Sequence, residues 1–525
     1  MSAPKSSKKS EKHKVASGNV HIADLVFISA IFLLTFFLNI AIANNMLLSP
    51  DPCGYLDMGR NLFTGKGAVT SYNIYQFWPD KYYPFLPYMP PLYPLVAGLL
   101  LFLFNLKAVI GFNVLLFSIN CSLLYVILRL TSPSWICFLI TLFMVFSTSI
   151  VNTAMYPWTE QLHLFFVLSV LHIYLKNKKA SLGMGIILAV SCLVRAAGLY
   201  NFIGFMASLI IIRGFSKEAL KEYARVAFGF AGVLFCYGLF CYIRYGVFYP
   251  QYLSAAKVYA AIKIFPGAFY NNTLPVLNMP PLNQGFDVVL LNTCKHFIDF
   301  IIPFKNLKFM LLIVPLGIIY DLIKRKKPLF IVFFCQGAAV ILFYAVSFAW
   351  YPEPVEVIRY ALIPLVMFVS IGFLYIKDIL AKLIPNRMKA LSPAAFAIII
   401  LSFLCANISE YVDFRKHCLD IYPVLWGGYN KNRDEMCEWI RANTDTNALI
   451  ASDRVRDGFL LNRPFVSLPP GEAATRKNFT DHLGIYKPEY ILLDGKNADI
   501  IVFLKRLGFQ EKKVCGTLVL LDRLR

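Results

Sequence analysis

The run Asp51-Pro-Cys-Gly-Tyr-Leu-Asp-Met-Gly-Arg60 sets two carboxylates, a tyrosine and an arginine directly behind the first long apolar segment. Lys66, Lys81 and a tyrosine-rich stretch follow, and then Pro90-Pro91-Leu92-Tyr93-Pro94. A carboxylate held against hydrocarbon loses part of its hydration and becomes a better base near neutral pH. Asp51 has that position, but its Ser49-Pro-Asp-Pro52 context also suits a turn-forming aspartate, so spacing leaves the two roles level. Arg60, Lys66 and Lys81 could together hold a phosphate, the arginine as a fork and the lysines as point charges. Interfacial snorkelling is the plain alternative for each. Tyr72, Tyr75, Trp78, Tyr82, Tyr83, Tyr88 and Tyr93 offer faces for stacking on sugars, or form the aromatic belt of a membrane protein. Asp57 and Tyr93 are the supporting candidates in this stretch.

Three later positions carry the same kind of chemistry. Glu160, in Tyr156-Pro-Trp-Thr-Glu-Gln-Leu-His163, opens a helix that Thr159 could cap; a first-turn acid also simply suits the helix dipole. Arg195 lies between two apolar runs, where an uncompensated charge is expensive, so a paired or functional role is expected. Arg359-Tyr360 follows Glu353 and Glu356 and is either a second phosphate contact or half of an i, i+3 pair with Glu356. The glycine-rich, P-loop, HExxH and GxSxG patterns are all missing, as is an Asp-x-Asp pair of the kind that holds a nucleotide-sugar metal. The twelve cysteines show no CxxC pair and no zinc spacing. No cofactor is indicated, and a divalent metal is possible without being indicated.

The elements that must position these residues are membrane helices. The chain is 58% hydrophobic, with a mean hydropathy of +0.60, far above a soluble domain. The net charge of +21 comes from short basic clusters between apolar segments, which is the pattern of membrane topology and not of nucleic-acid binding. Keeping every cluster on one side requires spans near 24–44, 108–129, 135–153, 160–176, 182–197, 198–213, 226–245, 299–322, 328–349, 358–378 and 391–410, about eleven helices. The fit holds only if the piece at 91–105 does not cross and is interfacial or re-entrant. Residues 1–22 then form a disordered cytoplasmic tail and 23–410 the membrane domain, with outer loops at 45–107 and 246–298. From 411 to 525, alternating helices and strands imply a small α/β domain, placed outside by parity. Helices are expected near Arg433–Asn443 and Ala498–Leu507, and strands near Ala448–Ala451, Tyr490–Leu493 and Thr517–Leu521. Asp51, Asp57, Arg60, Glu160, Arg195 and Arg359 all fall on that outer face.

Asp51-x-x-x-Tyr55-Leu-x-x-x-Arg60-Asn-Leu-x-x-Gly65-Lys-Gly67 and Pro90-Pro91-Leu-Tyr93-Pro94 together resemble the first outer loop of the GT-C membrane glycosyltransferases. The nearest likeness is to the protein O-mannosyltransferase and aminoarabinose lipid A transferase family (glycosyltransferase family 39-like). Thr159-Glu160, Leu193-Val-Arg195-x-x-Gly198, Arg359-Tyr360-x-x-x-Pro364 and Trp439-Ile-Arg-Ala-Asn-Thr follow in the order of that family. The resemblance implies a GT-C fold, all-α in the membrane with interfacial helices in the first outer loop and a C-terminal extracytoplasmic α/β domain. It implies inverting transfer of a sugar from a polyprenyl-phosphate donor to a hydroxyl on lipid A, another glycolipid, a polysaccharide or a protein. A bacterial inner membrane, with the site on the periplasmic side, would fit. Asp51 would be the general base. Tyr55, Arg60 and Lys66 or Lys81 would match donor-binding positions, and Arg195 and Arg359 with Tyr360 would meet the lipid phosphate. Pro52 departs from the protein-mannosylating members, which usually carry a second acid there. A lipid-sugar flippase and a non-catalytic assembly or sensor protein are the rival classes; charges gathered at one rim, with no internal repeat, weigh against the flippase.

Overall fold

The computed structural model describes residues 22–43, 50–73, 89–246, 248, 314, 317, 327–347, 357–385, 388–452, 454–468, 480, 483–484, 486–494 and 498–524. Lys81, almost all of the loop expected at 246–298 and almost all of the span expected at 299–322 lie outside these residues.

The apolar runs form helices. In chain order they are α1 (Ile22–Ala43), α2 (Pro50–Phe63), α3 (Leu92–Leu103), α4 (Leu106–Arg129), α5 (Ser134–Val145), α6 (Thr148–Met155), α7 (Glu160–Asn177), α8 (Leu182–Val194), α9 (Gly198–Arg213) and α10 (Lys217–Tyr245). After the undescribed stretch come α11 (Pro328–Ser347), α12 (Val357–Leu383) and α13 (Leu391–Lys416). Among the described residues five of these, α1, α4, α10, α12 and α13, are long and apolar enough to cross a bilayer. The expected span at 135–153 is a sixth in two pieces, α5 and α6, bent by 61°. Helices α8 and α9 are apolar but shorter, as is the apolar part of α11, Pro328–Leu342. The protein is an integral membrane protein, built on the expected pattern of apolar segments. Helix α10 starts nine residues before the apolar run expected at 226, because Ser216 caps it by accepting the Ala219 N–H at 3.2 Å and the polar turns wind with the rest.

Between α1 and α4 lie two helices too short to span. At 12 residues α3 is about 18 Å long, well under a hydrocarbon core. It packs backbone to backbone on α2: a methyl added at Gly59 would sit 2.5 Å from the Pro94 carbonyl oxygen and 2.7 Å from Gly98 Cα. Only glycines permit that approach.

The C-terminal part is an α/β layer. Helix α13 runs through a π-helical turn, His417–Ile421, into α14 (Tyr422–Asn443), so the boundary expected at 410/411 lies inside a continuous helical stretch. Then follow β2 (Ile450–Ser452), α15 (Val455–Leu461), β3 (Phe465–Ser467), β4 (Tyr490–Asp494), α16 (Ala498–Arg506), β5 (Phe509–Cys515) and β6 (Leu518–Arg523). The sixth strand comes from the first loop. Strand β1 (Tyr72–Asn73) pairs in parallel with β3, in the register Tyr72 to Phe465, giving the order β1-β3-β2-β4-β6-β5. The strands from β1 to β4 are parallel, and β6 and β5 close the sheet as an antiparallel hairpin. All of β2 is buried, as a central parallel strand covered on both faces must be. One hydrophobic core joins Cys53, Leu56 and Met58 of α2 to Val109 of α4 and to Met436, Phe459 and Phe465 of the sheet layer. The first loop and the C-terminal layer therefore pack as one body.

Candidate active site

Helix α2 carries Asp51. Pro50 and Pro52 do not make the Ser-Pro-Asp-Pro segment a free turn; both sit in the first turn, where a helix needs no N–H donors and a fixed φ helps. Asp51 is thus a first-turn acid, half-buried, in the favourable field of the helix N-terminus. One turn on, Tyr55 is buried with its ring edge-on to that of Tyr93, centroids 5.4 Å apart. The Tyr93 hydroxyl donates to Asn113 Oδ1 at 3.1 Å, and Asn113 Nδ2 donates to the carbonyls of Tyr156 (2.5 Å) and Trp158 (3.0 Å). Tyr93 is fully covered, so its ring locks α2 and α3 to α4 and to the segment leading into α7.

The polar face of α2 is spent on holding the loop. Asp57 is fully buried and accepts from Arg60 Nη2 at 2.6 Å, from the Ser71 N–H at 2.5 Å and from Asn61 Nδ2 at 3.3 Å. Burial pushes the Asp57 carboxyl upward, against the pull of the Arg60 charge and the Ser71 N–H. Arg60 also donates to the Phe459 carbonyl at 2.8 Å and lies over the Phe459 ring, 5.0 Å from its centroid. The Ser71 carbonyl in turn accepts the Phe465 N–H at 3.1 Å, which starts the β1–β3 pairing. Lys66 is exposed on a turn whose glycines, Gly65 (φ +81°) and Gly67 (φ +92°), take left-handed conformations.

The second half of the site lies where α7, α8, α11 and α12 meet. Glu160 opens α7 and is 2% exposed; Arg195 ends α8 in an extended conformation, and its Nη1 is paired with Glu160 Oε1. Thr159 does not cap α7. Its hydroxyl donates to Glu160 Oε2 at 3.3 Å instead. The hydrogen bonds from Tyr93 to Asn113 and from Asn113 to the Trp158 carbonyl, two residues before Glu160, tie this pair to the first loop. A narrow crevice of about 20 Å³, room for little more than one water, is lined by Glu160, His163 and Arg195 and walled by Val340, Leu362 and Ile363. Arg359 and Tyr360 open α12 one turn before Ile363, so the backbone delivers them to the same end of the bundle; their side chains are outside the description.

Sequence reasoning did not pick out His163. Its Nε2 is 2.8 Å from Asn201 Oδ1 and its Nδ1 3.4 Å from the Ser191 carbonyl, while Asn201 Nδ2 donates to Gln336 Oε1 at 2.7 Å. These buried groups back the ion pair and link α7, α9 and α11. The signal available was three polar residues, Glu160, Gln161 and His163, just ahead of the apolar run Leu164–Leu168. Among the described residues no three metal-ligating side chains cluster.

This arrangement of helices and appended sheet matches solved structures along nearly the whole chain. The aminoarabinose transferase ArnT from Cupriavidus metallidurans, solved bound to undecaprenyl phosphate, superposes with a TM-score of 0.56 over 95% of this chain and 98% of its own, at 11% identity. The Archaeoglobus fulgidus oligosaccharyltransferase, tethered to an acceptor peptide containing the NVT sequon, superposes with a TM-score of 0.55 over 90% of this chain and 69% of its own, also at 11% identity. This is the GT-C fold. No protein-family model matches the sequence, and no curated protein matches it. The GT-C likeness is therefore one of architecture, and it includes the C-terminal sheet layer.

Proposed function

We propose that this GT-C protein transfers a sugar from a polyprenyl-phosphate carrier to an acceptor hydroxyl, with inversion at the anomeric carbon. The observation that carries the proposal is the buried Glu160–Arg195 pair, which the Tyr93–Asn113–Trp158 hydrogen bonds tie to the loop that bears Asp51. Asp51 takes the proton of the acceptor hydroxyl as its oxygen forms the new bond to the anomeric carbon. The bond from that carbon to the phosphate oxygen breaks on the opposite side, and the polyprenyl phosphate leaves with the electron pair. Arg195, its fork oriented by Glu160, meets the developing phosphate charge, with Arg359 and Tyr360 as the second contact. Tyr55 and Tyr93 keep α2 in place, and Asp57 and Arg60 fasten it to the sheet layer. Lys66 and Lys81 draw the donor phosphate to the loop. The ArnT structure, which holds undecaprenyl phosphate on the same fold, supports a lipid-phosphate donor; the acceptor belongs to the class of lipid A, other glycolipids, polysaccharides and proteins. The site and the sheet layer face the extracytoplasmic side.

Mass spectrometry of glycolipids and glycoproteins from cells with and without the protein tests this. A species lighter by one sugar residue should accumulate in its absence. Identical profiles in both pools, under conditions where the protein is made, would refute transfer.

A further inference from the structure

A second crevice lies at the other end of the bundle. Ile363 lines the first crevice and Lys377 the second, fourteen residues or about 21 Å further along α12. The start of α5, the end of α12 and the start of α13 border an open crevice of about 450 Å³ there. Its floor is apolar, made by Pro133, Trp135, Ile136, Pro393 and Phe396, with the Trp135 and Phe396 rings edge to face at 5.9 Å. Its polar lining is Lys377, Lys389 and Ser392.

Among the described residues the charge here is not balanced. The Asp378 carboxylate serves two ammonium groups, Lys327 Nζ at 2.5 Å and Lys377 Nζ at 3.5 Å, and the exposed Lys389 adds a third positive charge at the rim. The helix ends around the crevice mark a common level, since the apolar segments of α12 and α13 stop and start there and α5 begins there. That is the level of the bilayer interface, where a tryptophan is at home and lysines meet lipid phosphates. A small hydrated anion would gain nothing from the aromatic floor. A neutral lipid would gain nothing from the lysines. An amphiphile with a phosphodiester head and a hydrocarbon tail uses both.

We propose that this crevice binds one anionic phospholipid, its phosphate between Lys377 and Lys389 and an acyl chain along Trp135 and Phe396. The site is independent of the transfer chemistry at the opposite end.

Native mass spectrometry of the purified full chain, loaded separately with phosphatidylglycerol and phosphatidylcholine, tests it. The protein should retain one phosphatidylglycerol under activation that strips phosphatidylcholine, and millimolar inorganic phosphate should not displace it. Lys377→Gln/Lys389→Gln should weaken retention about tenfold, while Lys217→Gln/Lys221→Gln, which removes two exposed lysines of α10 at the same end, should not. Ala381→Trp fills the crevice without touching its charge and should remove the adduct as well. Equal retention of the two lipids, unchanged retention in the double lysine variant or in Ala381→Trp, or displacement by inorganic phosphate would each overturn the proposal.

Discussion

Arg60→Gln should detach the first loop from the sheet layer, and its cost can be worked from the contacts. Asp57 is 0% exposed and Arg60 is its sole cationic partner among the described residues, at 2.6 Å. Removing one member of a buried pair costs about 3–5 kcal/mol, because the other charge stays behind without compensation. The Arg60 side chain is itself 18% exposed, and the Ser71 and Asn61 donors to Asp57 remain, so the low end, about 3 kcal/mol, is expected. The Phe459 carbonyl loses a donor in the same step. The penalty is local, since the groups lost join α2 and β1 to α15 and β3. About 3 kcal/mol of local opening corresponds to roughly a hundredfold faster amide exchange.

Hydrogen exchange read by mass spectrometry at Tyr72–Asn73 and Phe465–Ser467 is the assay. The pH dependence adds a second check with a defined sign. The Asp57 carboxyl is already raised by burial, and without Arg60 it rises further. A raised acid binds a proton in the folded state where the unfolded chain does not. The loop is then most stable below the ordinary aspartate range and loses stability as pH rises through the folded value. The deficit of Arg60→Gln should be largest above neutral pH and shrink on acidification. Asp57→Asn/Arg60→Gln, which leaves no buried charge, should recover part of the protection at neutral pH. Unchanged exchange at both strands in Arg60→Gln would refute the anchor.

Other changes have equally direct outcomes. Glu160→Gln leaves the Arg195 charge in a buried site and loses its orientation; sugar transfer should fall about a hundredfold, and Arg195→Lys should not preserve activity because an ammonium cannot reproduce the fork. A transfer assay in proteoliposomes checks both, and full activity in either would contradict the assignment. Gly98→Ala puts a methyl 2.5 Å from the Gly59 carbonyl oxygen, so α2 and α3 must separate; a loss of about 1–3 kcal/mol in denaturant unfolding is expected, with no loss counting against the close crossing.

Much of the membrane part was legible because a span is a local signal: twenty apolar residues need no partner to be recognised. The 61° break between α5 and α6 was not, since the Ser147-Thr148-Ser149 run that marks it is polar enough to interrupt a span yet common inside membrane helices, where hydroxyls bond back to the preceding turn. Helix α2 was hidden by Pro50 and Pro52, which mark turns as readily as helix starts. Strand β1 has two residues and thus no periodicity to detect; what makes it a strand is Phe465, almost four hundred residues away. Strands β2, β4 and β6 and helix α16 matched their apolar patterns to within a few residues, whereas β5 is too polar to stand out. At the site, Glu160 and Arg195 each stood out as charges that hydrocarbon would not tolerate, but their pairing is a tertiary fact across 35 positions. Tyr93 and Asn113 show the opposite case: their chemistry is plain, and only packing reveals that they hold the frame.

Everything proposed for the reaction turns on Asp51 as the base of a lipid-linked sugar transfer. The direct measurement compares purified wild-type and Asp51→Asn protein for binding of a polyprenyl-phosphate sugar and for its transfer to acceptor. The variant should bind the donor with unchanged affinity while transfer falls by a factor of about 100 or more. Full transfer by Asp51→Asn would contradict it.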